Sequence, residues 1–180
     1  MLNTLIEFDT AVLLLINRAL SNPIFDYIMP KFDDPLNWIP FILFIWIFSF
    51  VKDKNNRFKL IILLPLTILF CDQIGGFIKD FQLRSRPWFT LGPEIINHLG
   101  KSTGQHFSFP SNHALNISGV SFLFSNIYPQ YKKYFWFIAM VIMYSRIYIG
   151  VHYPIDVFCG FILGCLISFI IIRVWSKYVK

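Results

Sequence analysis

Ser145-Arg146-Ile147-Tyr148-Ile149-Gly150-Val151-His152-Tyr153-Pro154-Ile155-Asp156 lies at the junction of two strongly apolar runs, residues 134–149 and 155–175. A guanidinium, an imidazole and a carboxylate are costly to hold near a bilayer without a partner or a task. The flanking runs therefore read as membrane helices, and the polar residues as the mouth between them. Pro154 favours the first turn of a helix, and a helix starting there brings Asp156 within reach of His152. A carboxylate hydrogen-bonded to one ring nitrogen fixes the tautomer and leaves the other nitrogen as a base or nucleophile. Taken alone, the same pair also reads as a helix cap at a loop.

Composition extends this reading to the whole chain. Of the 180 residues, 56% are hydrophobic and only 14% charged, and mean hydropathy is +0.57, which excludes an ordinary soluble domain. Charge is confined to short blocks between apolar runs at 36–51, 60–78, 114–128, 134–149 and 155–175. These predict an all-α, polytopic integral membrane bundle of about five transmembrane helices in one domain, residues 1–180. Several runs fall short of the roughly 20 residues a span prefers, so they borrow flanking residues. Residues 1–20 place Leu2, Leu5, Ile6, Val12, Leu13, Ile16 and Leu20 at mostly helical spacing, in an apolar run too short to span. An interfacial amphipathic helix is expected there, with residues 1–34 forming that helix and a loop or re-entrant turn rich in Pro and Asp. Glu7 and Asp9 precede its apolar centre and no basic residue does, so a cleaved signal peptide is not expected.

The net charge of +6 could point to nucleic acid. Its distribution points elsewhere. Lys52, Lys54, Arg57 and Lys59, then Lys132 and Lys133, then Arg173, Lys177 and Lys180 fall on one side of a five-span chain, with Asp53 the one acid among them. By the positive-inside rule that face is cytoplasmic, and nucleic acid becomes an unnecessary partner. The outer face then receives residues 79–110, a connection too long and too rich in Arg, Pro and aromatic residues to be a mere tether.

Polar clusters meet at that face. Lys79, Arg84 and Arg86 follow the second run; Ser111, Asn112 and His113 open the third; Arg146 ends the fourth; His152 and Asp156 open the fifth. Several cations, a hydroxyl and a helix N-terminus suit an anion with several oxygens, and phosphate is the commonest. Two histidines, one beside a carboxylate, divide into a nucleophile and an acid.

The clusters resemble the type-2 phosphatidic acid phosphatase superfamily, which also includes bacterial acid phosphatases and vanadium haloperoxidases. Its signature is Lys, six residues, Arg-Pro; then Pro-Ser-Gly-His; then Ser-Arg, five residues, His, three residues, Asp. This chain has Lys79 to Arg86-Pro87, Pro110-Ser111-Asn112-His113, and Ser145-Arg146 to His152 to Asp156. Asn112 stands where Gly is common, and Asn tolerates a left-handed backbone better than other side-chain-bearing residues. The resemblance implies that His152 attacks phosphorus to give a phosphohistidine, oriented by Asp156, and that His113 protonates the leaving oxygen and then activates water. It implies phosphoryl contacts from Lys79, Arg86, Arg146, Ser111 and the Asn112 amide, with no metal and no cofactor. The substrate it implies is a lipid phosphate or diphosphate met at the outer face of a bacterial cytoplasmic membrane: undecaprenyl diphosphate first, the 1-phosphate of lipid A or phosphatidylglycerophosphate otherwise. An anion-binding transporter or scaffold would need no His-Asp pair beside a second His.

The remaining polar residues have plainer readings. Arg84 lies outside the signature and reads either as a solvated charge or as a further head-group contact. His98 and His106 read as ordinary loop residues, with His106 near enough to line an entrance. Asp72, inside a span, is expected to bond to another helix or to be protonated. Cys71, Cys159 and Cys165 lack zinc spacing and read as buried thiols. Gly160 and Gly164 form a small-residue packing pattern, and Trp38, Trp136 and Trp175 an interfacial belt.

Overall fold

Apolar periodicity becomes helix along almost the whole chain. The computed structural model describes residues 2–37, 39–101 and 106–178. Its helices are α1 (Leu2–Leu14), α2 (Pro23–Ile28), α3 (Ile39–Lys52), α4 (Arg57–Asp80), α5 (Pro87–Leu91), α6 (Asn112–Ile127), α7 (Lys132–Tyr148) and α8 (Pro154–Tyr178). Among the described residues, β pairing is limited to an isolated antiparallel bridge between Ser85 and Phe107. The five apolar runs coincide with α3, α4, α6, α7 and α8. At 1.5 Å per residue, α4 and α8 reach about 36 and 38 Å and clear a hydrocarbon core of about 30 Å, whereas α3, α6 and α7 reach only about 21 to 26 Å. By length and composition only α4 and α8 among the described helices qualify as spans. Trp38 and Lys180, which entered the belt and charge readings, lie outside the described residues.

Backbones approach most closely where α6 meets α8, and glycines are the cause. A Cβ on Gly160 would stand 2.7 Å from the Ser111 carbonyl oxygen, and one on Gly164 would meet the Leu115 carbonyl and the Ser118 hydroxyl. Gly119 answers from α6, where a Cβ would lie 3.0 Å from Cys71 Sγ of α4. Small residues drive association in lipid because they let van der Waals surfaces and backbones touch. Gly164→Val collides with a helix carbonyl that cannot step aside. We expect it to lower the thermal midpoint in detergent by about 5 °C or more, by overpacking, and a differential scanning fluorimetry midpoint unchanged from native would contradict this packing.

Large apolar side chains also face outward, among them Phe44 and Phe48 of α3 and Phe158, Ile162 and Phe169 of α8. So extensive an exposed apolar surface is incompatible with water and suits lipid. The chain is a membrane protein.

The N-terminal region departs from the expected surface helix in one respect. Asp9, Leu13 and Asn17, spaced four apart and hence on one helix face, turn inward and are buried, while Leu5, Ile6, Phe8 and Leu15 are exposed. Polarity is inverted because the inward residues have partners. Asp9 Oδ1 accepts from Ile155 N at 2.9 Å, and Asn17 Nδ2 donates to the Tyr148 and Asn97 carbonyls at 2.7 and 2.9 Å. Residues 21–35 are likewise not a simple loop. Asn22 caps α2 by accepting from Phe25 N at 3.0 Å, Pro23 takes the first helical position, and a 3₁₀ turn, Met29–Phe32, follows.

Candidate active site

The site is built where α4 and α7 end and α6 and α8 begin. Helix α7 stops because Gly150 adopts φ +75°, the left-handed conformation that closes a helix, and a Cβ there would strike Ile96 Cγ2 at 2.6 Å. The amides of Val151 and His152 then fold back onto the Arg146 carbonyl, both at 3.3 Å. The fourth residue after the helix, His152 is thereby set beside the last turn of α7. Its side chain is 3% exposed, and Nδ1 is turned toward Asp156 of α8.

Opposite it, Ser111 caps α6, its hydroxyl accepting from Ala114 N at 3.4 Å while its own amide bonds the Asp156 carbonyl. That cap places Asn112 and His113 in the first turn, at the positive end of the helix. His113 Nε2 lies 3.1 Å from the Asp33 carbonyl oxygen. Lys79, in the last turn of α4, reaches across to the Ser108 carbonyl at 3.5 Å and to that of Pro110. Arg86, fixed ahead of α5 by its amide bond to the His106 carbonyl, sends Nη1 to the Val151 carbonyl at 3.2 Å. Lys79, Arg86, Asn112, His113, Arg146 and His152 line one cavity of about 370 Å³, together with Asp33, Asp34, Lys101 and Val151.

Electrostatically this is a cationic pocket in low dielectric. Burial, then Arg86, Lys79 and Arg146, push the His152 imidazolium well below its ordinary pKa, so the ring is neutral and its lone pair available. The guanidinium of Arg86 is likewise lowered by burial, although it stays charged at any accessible pH. Its Nε and His152 Nδ1 are buried without a hydrogen-bond partner among the described residues. A multi-oxygen anion is what three convergent cations and a helix N-terminus accommodate.

Against expectation, Asp156 does not hydrogen-bond His152. The Nδ1 to Oδ2 separation is 3.7 Å, beyond hydrogen-bond range. The carboxylate is instead held by Tyr153 N at 2.9 Å and by Arg84 at 3.4 Å, so it caps α8 as well as facing the imidazole. Arg84 is neither solvated nor in the cavity lining: it pairs with Asp9 at 2.6 Å and lies 3.5 Å over the Tyr153 ring. Ser111, buried and engaged as a cap, is also not among the lining residues.

Sequence reasoning missed Asp33 altogether. Its Oδ1 accepts from Arg146 Nη1 at 2.7 Å and its Oδ2 from Lys101 N at 2.8 Å. No spacing rule links residues 113 positions apart, and Asp33-Asp34-Pro35 looks like an ordinary polar turn. His98 stacks on Trp88 at 4.9 Å, and exposed His106 lies beside Phe89 at 4.5 Å, outside the cavity lining. Asp72 does bond to another helix, through Asn116 Nδ2 of α6 at 2.6 Å. The cysteines are free thiols, with Cys71 buried but Cys159 and Cys165, both within α8, only half-buried.

The chain is similar in sequence and in fold to several lipid phosphatases. The chain is 31% identical over 175 residues to a lipid A 4′-phosphatase of Bacteroides thetaiotaomicron, covering 91% of this chain and 75% of that one. It is 30% identical over 154 residues to an undecaprenyl-diphosphatase of Sulfolobus acidocaldarius, covering 82% and 68%. The crystal structure of Aquifex aeolicus LpxE superposes with a TM-score of 0.73 at 26% identity, over 91% of this chain and 94% of that one. The PAP2 superfamily pattern matches residues 60–180, the part that carries every polar cluster of the cavity except the Asp33 turn, and the chain belongs to that superfamily.

Proposed function

We propose that the protein is a single-domain, five-span lipid phosphatase whose cavity opens at the outer face of a bacterial cytoplasmic membrane. The observation that carries this reading is the convergence of Lys79, Arg86 and Arg146 on a cavity that also holds two histidines, His113 and His152. Phosphoryl transfer depends on positioning and on neutralising charge spread over the equatorial oxygens, and these cations supply what a metal ion otherwise would. Nε2 of neutral His152 attacks phosphorus, forming a P–N bond as the P–O bond to the lipid breaks. His113, protonated on both ring nitrogens with Nε2–H donated to the Asp33 carbonyl, gives its Nδ1 proton to the leaving oxygen, then takes one back at Nδ1 from the water that cleaves the P–N bond and releases phosphate. Lys79, Arg86, Arg146 and the first-turn amide of Asn112 hold the phosphoryl oxygens, Ser111 keeps that amide in place by capping α6, and Asp156 faces Nδ1 of the nucleophile.

A cavity at the end of a lipid-facing bundle suits a substrate whose tail stays in the bilayer. Undecaprenyl diphosphate is the substrate we favour. A lipid A phosphate is the second reading, supported by the 31% relative that covers nine-tenths of the chain, and phosphatidylglycerophosphate the third. Purified protein in detergent, offered all three lipids, is expected to release phosphate from at least one, to continue in EDTA and to stop with vanadate, a phosphoryl mimic. Loss of release in EDTA would overturn the cation-only mechanism. No release from any lipid phosphate would overturn the reading as a whole.

A further inference from the structure

Asp33 lies outside the part of the chain matched by the family pattern, residues 60–180, yet it enters the cavity from the N-terminal region. It touches two members of the proposed machinery by two different groups. Its carboxylate takes Arg146 Nη1 at 2.7 Å, and its backbone carbonyl lies 3.1 Å from His113 Nε2. A third contact, from the Lys101 amide to Oδ2 at 2.8 Å, ties the same carboxylate to the 79–110 connection.

Arg146 is fully buried, and its donors can be accounted for one by one. A guanidinium has five N–H groups. Nε and Nη2 each give one to Ser145 Oγ, at 3.2 and 3.1 Å, and Nη1 gives one to Asp33, so among the described residues Nη1 and Nη2 each keep one that can meet a phosphoryl oxygen. Without Asp33 the planar fork is held by the single Ser145 Oγ atom, about which it can pivot. The charge balance agrees: burial opposes ionisation of Asp33, but Arg146, the Lys101 amide and His113 outweigh it and hold the carboxyl below its ordinary range. Four lining cations, Lys79, Arg86, Lys101 and Arg146, against two carboxylates, Asp33 and Asp34, leave the cavity with two net positive charges for a phosphoryl group.

We propose that Asp33 is a positioning residue of the phosphatase reaction, aiming the Arg146 fork with its carboxylate and the His113 imidazole with its carbonyl. The proposal rests on the phosphatase reading above. It makes the N-terminal segment part of the working site, with a role in turnover in addition to any in anchoring.

The discriminating experiment compares native protein with Asp33→Asn and Asp33→Glu, measuring kcat and KM per folded molecule in detergent on whichever lipid phosphate the native protein hydrolyses. Asp33→Asn keeps an acceptor for Arg146 but not the charge. Its kcat is expected to fall about 10- to 100-fold with KM within about threefold, as for groups acting mainly in the transition state. Asp33→Glu keeps the charge but lengthens the arm, and its kcat is expected to fall at least about fivefold. A kcat within about threefold of native in Asp33→Asn overturns the proposal. Should that variant fail to fold, Asp33→Glu decides: native-like kcat assigns the residue to stability alone, and the expected loss sustains the proposal. Absence of phosphate release by the native protein would instead remove the phosphatase reading, and this inference with it.

Discussion

His152→Ala is expected to release phosphate from lipid substrates at less than about one-thousandth of the native rate, while remaining folded. In the proposed mechanism the reaction divides at the covalent intermediate, so removing the nucleophile closes the route rather than slowing one step of it. What remains is the weak catalysis available from oriented cations and bound water. A second observable separates this from a mere packing defect. Quenched during turnover of a radiolabelled substrate, the native protein should carry labelled phosphate on the chain and the variant none. Residual turnover above about a tenth of native would remove His152 from the nucleophile's role.

The pH dependence follows from the same residue. Only the neutral ring can attack, so kcat/KM falls as pH drops through the His152 pKa of the free enzyme. Burial and the neighbouring cations lower that pKa, which moves the acid limb below the ordinary imidazole value of about 6.5. Activity should therefore persist into mildly acidic solution. An acid limb at or above pH 6.5 would mean that the cations do not act on His152 as the geometry implies.

Why some of this was legible in the sequence and some was not has a physical answer. The five apolar runs were readable because lipid imposes a composition on every residue that faces it, and the helices α3, α4, α6, α7 and α8 follow those runs within a few residues. Lys79, Arg86, His113, Arg146 and His152 were readable because charge beside apolar runs is costly and because their spacing matched a known pattern. Asp33 and Asp9 were not. Each earns its place through a partner far along the chain, Arg146 and Arg84 respectively, and a carboxylate in a Pro-rich turn carries no local mark of that. Asp156 illustrates a third case. It lies in the first turn of α8, but the competition between Tyr153 N, Arg84 and His152 for one carboxylate is decided by sub-ångström geometry that spacing does not encode.

Arg146→Ala should damage activity and stability together, and the two losses have different origins. In the proposed mechanism its fork offers the phosphoryl group two donors without a partner among the described residues, and removing such preorganised donors typically costs about a hundred- to a thousandfold in rate. It also leaves Asp33 as a buried carboxylate facing an empty space, and breaking one side of a buried pair costs about 3–5 kcal/mol. Arg146→Lys restores a charge for Asp33 but cannot also bridge Ser145 with a planar fork, so stability should recover further than activity does. The double variant Arg146→Ala with Asp33→Asn makes the separation sharper. No unpaired charge is then buried, and the thermal midpoint should rise back toward native by more than the two single effects would allow if they simply added. Phosphate release should not rise with it, because the donors that meet the phosphoryl oxygens are still missing. Recovery of both in parallel would place the Arg146–Asp33 pair in the architecture of the bundle alone; recovery of the midpoint without turnover places it at the reacting phosphate.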